Sequence, residues 1–185
     1  MRYRIKGVEL RSENAAKSHM QRSKAVVEYL RATGRVKNLL DFGCGKLRYA
    51  DQISKLGKHV VFVDSHVQLT RNQRVQGRVT TVASLARERY SNASVLPSEK
   101  LVTARTQHDL ITCINVLSAI PDILALRGVL RTIRRLTKPT GIAVFINQHR
   151  NTYFSRFSTG RRHLFGYIFE GRNGPSYYGV MTREG

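Results

Sequence analysis

Asp41-Phe-Gly43-Cys44-Gly45 closes an apolar run and opens a basic, helix-prone segment. Two glycines at alternate positions let the backbone turn sharply and stand bare beside a ligand. The helix that follows should present its first N–H groups there. Asp64 ends the next apolar run, HVVFVD. An acid at that place can accept both hydroxyls of a ribose, so the pattern predicts a nucleoside-cofactor site at the carboxyl edge of a parallel sheet. Other reactive residue types are few. Cys113 sits inside an apolar run and reads as core, and Cys44 reads as a small packing residue of the loop. Asn115 and His149 each follow a predicted strand and are the candidates for touching or deprotonating an acceptor. The cysteine spacing does not fit zinc, so no metal is expected.

These residues need elements to hold them. Residues 12–33 read as one helix, capped by Ser12, with Ala16, Met20, Val27 and Leu30 on one face and Gly34 as the stop. VKNLLDF is a buried strand. Leu47, Ala50, Ile53 and Leu56 recur at helical spacing up to Gly57, and HVVFVD is the next strand. Residues 66–90 are polar and helical in pieces. NASVL, DLITCI and IAVFIN supply three further strands. The helix before IAVFIN carries Ile123, Leu126, Leu130 and Ile133 on one stripe, and KPTG after it is turn chemistry. Strands alternating with helices predict an α/β Rossmann-like fold, a mostly parallel central sheet with helices on both faces. One domain is expected over residues 1–185: an N-terminal helical segment 1–35, a cofactor-binding core 36–146 and a substrate-side loop or hairpin 147–185. The Gly- and Tyr-rich tail reads either as a hairpin turning at residues 171–174 or as a loop leading to a helix near Thr182. The second reading leaves the sheet without its last strands.

A dinucleotide fingerprint would need a third glycine where Arg48 stands. Asp41 to Gly45 instead resembles the first motif of class I S-adenosylmethionine-dependent methyltransferases. FVD is similar to their second-strand acid, DLITCINVLSAIPD to their fourth-strand segment, and LTKPTGIAVF to the lead into their fifth strand. The resemblance covers about residues 36–146. It implies S-adenosyl-L-methionine as cofactor, with Asp41, Gly43, Cys44 and Gly45 around its methionine part. It further implies Asp64 and Ser65 at the ribose, Ser98 or Glu99 near the adenine, and Asn115, Val116 and Leu117 along the pocket floor. The family often has a glycine where Leu47 stands, and a leucine there would crowd the methionine end or pack the helix on the sheet. Ser118 and Ala119 replace the family's usual acid–histidine pair, which removes a familiar general base.

Lys and Arg number 32 against 12 Asp and Glu, a net charge of +20. Such an excess favours a polyanion, and HRNTYFSRFSTGRRHLFGY interleaves Arg with Tyr and Phe, which suits either a single-stranded nucleic acid or a substrate-covering loop packing its own aromatics. The expected acceptor is therefore RNA or another nucleic acid. A small molecule, or a non-catalytic nucleic-acid-binding module of the same fold, is the alternative. Two cysteines, the lack of a signal-peptide pattern at residues 1–10 and the lack of a long apolar run predict a cytoplasmic protein with no membrane partner.

Overall fold

The computed structural model describes residues 2–147, 152–171 and 174–180. A hairpin of β1 (Arg2–Ile5) and β2 (Val8–Arg11) comes first. Short 3-10 turns at Ser12–Ala15 and His19–Gln21 lead to α1 (Lys24–Ala32). The core then runs β3 (Val36–Phe42), α2 (Ala50–Leu56), β4 (Gly57–Asp64), α3 (His66–Thr70), a small hairpin β5 (Gln73–Val75) and β6 (Arg78–Thr80), α4 (Val82–Arg89) and β7 (Ala93–Pro97). It continues with β8 (His108–Ile114), α5 (Ile123–Leu136) and β9 (Thr137–Ile146). The tail contains α6 (Thr152–Ser155), β10 (Arg161–His163), β11 (Gly166–Gly171) and β12 (Gly174–Gly179).

Five strands form one parallel sheet in the order β7-β4-β3-β8-β9. Leu39, Val60 and Phe62 pack with Ile53 of α2 and Val82 of α4 on one face. Leu40, Ile111 and Cys113 pack with Val129, Ile133 and Leu136 of α5 on the other. Covering both faces requires apolar strands, as the inner strands β4, β3 and β8 largely are, whereas edge strand β9 leaves Ile142 and Phe145 exposed. This is the Rossmann-like α/β fold expected. Among the described residues, no helix is long and apolar enough to cross a membrane.

Several expectations need correction. Residues 12–33 do not form one helix. Ser18 and Ser23 are extended, and Met20 is 80% exposed, so no continuous apolar face exists to bury. The second helix begins at Ala50, because Leu47 takes a left-handed φ of 57° within the preceding turn. On α5 the buried stripe is Val129, Ile133 and Leu136; Ile123, Leu126 and Leu130 instead line a groove against the tail. KPTG is an irregularity inside β9, where pairing jumps from His108↔Thr137 to Leu110↔Ile142. The tail does turn as a hairpin, Gly171 pairing with Gly174, whereas a helix near Thr182 would lie outside the described residues. Its strands form a separate antiparallel sheet, β10-β11-β12, and do not extend the central one.

Candidate functional site

Parallel pairing of β3 with β4 sets Phe42 opposite Val63, so the glycine loop and Asp64 leave neighbouring strands side by side. The loop is tied down at once: the N–H groups of Gly43 and Cys44 both donate to the Val63 carbonyl, at 2.8 and 2.9 Å. The Gly45 N–H donates to Asp64 Oδ2 and the Ser65 N–H to Asp64 Oδ1, each at 2.8 Å. Each carboxylate oxygen therefore holds one backbone bond and keeps acceptor capacity for a second. Burial raises the Asp64 carboxyl, and the two backbone bonds oppose that rise.

Gly43 has φ +79°, and a Cβ on it would stand 2.2 Å from Cγ2 of Val116. At Gly45, with φ +57°, the nearest atom to such a Cβ is 3.9 Å away, because this residue borders a cavity. Asp41 lies beneath the loop, 6% exposed, and accepts from Thr112 Oγ1 at 2.7 Å. Burial pushes its carboxyl up to about 7, the Thr112 bond holds it down, and the nearby Asp64 charge adds to the rise. Asn115 follows β8 with φ +59°, a conformation that asparagine tolerates better than most residues, and its N–H donates to the Ile146 carbonyl at 2.6 Å.

One cavity gathers most of the residues expected from sequence. Asp41, Gly43, Cys44, Gly45, Asp64, Ser65, Ser98, Asn115 and Val116 all line it. Two others do not. The Glu99 carboxylate turns away to accept from the His66 N–H, at 3.2 Å to each oxygen. Leu117 faces the groove between α5 and the tail. His149 lies outside the described residues. Leu47 is 1% exposed in the core cluster with α1 and α2, so it packs the helix layer and does not wall the cavity. The Cys44 thiol is buried and raised, first by burial and then by Asp64 and Asp41.

The sequence reading missed Gln68. It is fully buried, its Nε2 donates to the Gly45 carbonyl at 2.8 Å, and its Oε1 accepts from Arg71 Nη2 at 2.8 Å. A signal existed: Ser65 caps α3 and accepts from the Gln68 N–H at 3.3 Å, the Ser-x-x-Gln pattern of a capping box. Also missed were walls from the chain ends. Tyr3, Glu13 and Lys17 close the cavity from one direction, and Tyr178 and Gly179 of β12 from another. No local pattern marks these, since the N-terminal hairpin meets the tail sheet through long-range packing, with Leu10, Ile168 and Tyr177 buried together.

Several tail aromatics pack on one another. Phe157 stacks on Tyr178 at 3.8 Å and meets Phe154 and Phe169 edge-on at 5.7 and 5.3 Å. Phe154 and Phe157 are only 1% and 2% exposed, so their neighbours hold both rings.

Residues 15–176 match the family described as Methyltransferase domain. The chain is 39% identical over 181 residues to the uncharacterized protein YmfD of Escherichia coli K12, covering 98% of this chain and 82% of that one. It is 28% identical over 116 residues to a ubiquinone biosynthesis O-methyltransferase of Bordetella avium, covering 62% of this chain but 44% of that enzyme. Its fold resembles that of DhpI in complex with SAM and HEP, with a TM-score of 0.62 at 15% identity, over 86% of this chain and 71% of that one.

Proposed function

The chain belongs to the methyltransferase-domain family, and on that premise we propose that it binds S-adenosylmethionine in this cavity and passes the methyl group to a small acceptor. The observation that carries the reading is the Asp64 carboxylate, held by the Gly45 and Ser65 N–H groups with acceptor capacity left over, beside a glycine loop open to the cavity. The DhpI structure that this fold resembles contains SAM. Asp64 would accept the ribose hydroxyls, Gly45 would let the ligand approach the main chain, and Asp41 would face its positively charged part. The cofactor supplies a methyl group already activated on a sulfonium. The chain's own work is then alignment of the acceptor and exclusion of water. Tyr3, Lys17 and Tyr178 do this by walling the cavity from both chain ends, which supports a small acceptor over a polymer.

Calorimetric titration tests the reading. S-adenosylmethionine and its demethylated product should bind, and NAD should not. Asp64→Ala should weaken both nucleosides by roughly 1.5–3 kcal/mol, the range for hydrogen bonds to a charged group. NAD binding alone, or unchanged affinity in a folded Asp64→Ala, refutes it. Transfer of a radiolabelled methyl into the small-molecule fraction of an extract, and not into its RNA, is the expected acceptor result. RNA is the second reading, favoured by the net charge of +20.

A further inference from the structure

The groove between α5 and the tail is separate from the glycine-loop cavity. One wall divides them: Val116 and Ser118 face the cavity where Leu117 faces the groove, and Gly179 faces the cavity where Val180 faces the groove. The wall is tight, since a Cβ on Gly179 would stand 2.7 Å from the Phe165 ring and 3.1 Å from the Ser118 carbonyl oxygen. The groove has a volume of about 620 Å³, within the range of sites that hold small molecules. Ile123, Leu126 and Leu130 line one side at helical spacing, and Leu164, Phe165 and Tyr167 of the tail line the other. Of the described residues that line it, Arg162 alone is charged. Arg162 is exposed and makes no ion pair among the described residues. Leu164 adds a second observation. It opens the two-residue turn between β10 and β11 with φ +47°, a place that glycine fills without strain and leucine does not. Its side chain is 43% exposed, so packing within the protein does little to offset that strain. An apolar ligand in the groove would cover it. We propose that the groove binds the apolar body of a small anionic amphiphile, with Arg162 beside the anionic head. Two copies that each carry +20 repel, which favours a small anion over a second copy as the occupant.

The site does not depend on the methyltransferase reading, and its test does not either. Hexanoate, octanoate, decanoate and uncharged 1-octanol are titrated calorimetrically into wild type, Leu130→Asp, Arg162→Gln and Leu164→Gly at about 0.15 M salt, where surface charges are partly screened. Each added methylene should tighten the acid about fourfold, the transfer value of a buried CH₂. Octanoate should bind about fivefold more tightly than octanol, the worth of an exposed ion pair, and Arg162→Gln should remove that difference. Leu130→Asp sets a charge among the apolar side chains and should weaken decanoate about tenfold or more. Leu164→Gly should weaken decanoate about fivefold, yet leave the urea midpoint unchanged or raise it, because the strained leucine is gone. A fall in both affinity and midpoint is the mark of a structural leucine and overturns the assignment. So does affinity that ignores chain length, or decanoate binding unchanged in both leucine variants. Displacement of decanoate by S-adenosylhomocysteine would put the amphiphile in the glycine-loop cavity and overturn the site as well. Sedimentation closes the last alternative: a wild-type dimer that Leu130→Asp converts to monomer would give the groove to a second copy. Should Leu130→Asp fail to fold, Leu164→Gly and Arg162→Gln, both at exposed positions, decide. If S-adenosylhomocysteine does not bind at all, the methyltransferase reading fails, while chain length and the three variants still decide the groove.

Discussion

Asp41 carries a proton that folding prefers to keep. Its carboxyl rises from 3.8 to about 7, chiefly through burial. A raised acid in the folded state binds a proton that the unfolded chain releases, so its contribution to stability falls as pH climbs from about 4 to about 7. At 1.36 kcal/mol per unit the shift amounts to roughly 4 kcal/mol. A cationic ligand reverses the preference, because it needs the ionised form. Cofactor affinity should therefore weaken as pH drops below about 7. Asp41→Asn keeps an oxygen for the Thr112 hydroxyl, so it should flatten that part of both profiles, read by urea unfolding and by titration across pH. A variant whose profiles match wild type would show that Asp41 stays ionised throughout. Gly43 is decided by shape instead. Gly43→Ala combines a positive φ with a 2.2 Å approach to Val116, and should destabilise by about 2–4 kcal/mol. Trimming Val116 to Ala should recover the clash but not the backbone strain. Strict additivity of the two substitutions in urea unfolding would mean that they do not meet.

Asp41, Gly43, Gly45 and Asp64 were legible in the sequence because each sits where an apolar strand ends, and parallel pairing of β3 with β4 brings those ends together. The inner strands of the central sheet were legible for the same reason: strands covered on both faces are written as apolar runs. Legibility stopped where long-range packing decides. Ser12 looked like the cap of a long helix, yet the chain instead extends at Ser18 and Ser23. The hairpins β1–β2 and β5–β6 turn on Lys6-Gly7 and Gln76-Gly77, where Lys and Gln adopt positive φ without being turn formers of the first rank. The tail was legible as a substrate-side loop or hairpin, but not which of its residues wall the cavity, because Tyr178 is positioned by Phe157 and its neighbours. That dependence is testable. Phe157→Ala should cost about 3–5 kcal/mol in the tail, the usual loss for a buried phenylalanine. Hydrogen exchange should then quicken in β11 and β12, and nucleoside affinity should fall with it. Faster exchange with unchanged affinity would show that β12 does not enclose the ligand.

Charge belongs to the molecule as a whole. The 12 acids cannot match 32 Lys and Arg, and several are already engaged. Asp51 pairs with Arg22 at 3.0 Å and Arg89 at 3.6 Å, Asp109 pairs with Lys138 at 2.6 Å, and Asp122 caps α5. Arg127, Arg131 and Arg134 stand exposed on α5, while Lys138 belongs to β9. The excess of 20 positive charges will attract any polyanion at low salt, so RNA retention alone does not identify RNA as the acceptor. Salt and ligand linkage make the distinction. If attraction is by charge alone, a single-stranded RNA should lose affinity linearly in log salt, with a slope of about 0.7 per phosphate contact. Base composition should not matter, since Phe154 and Phe157 are buried among other rings. Saturation with S-adenosylhomocysteine should leave the curve where it is, because backbone phosphates held at the surface do not sense the cavity. An RNA acceptor would couple instead: bound nucleoside would tighten it, and by reciprocity RNA would tighten the nucleoside by the same factor. Fluorescence anisotropy with and without the nucleoside, from low salt to about 0.5 M where the screening length is only a few ångströms, separates the two. Coupling that persists at high salt would move the acceptor assignment from a small molecule to RNA.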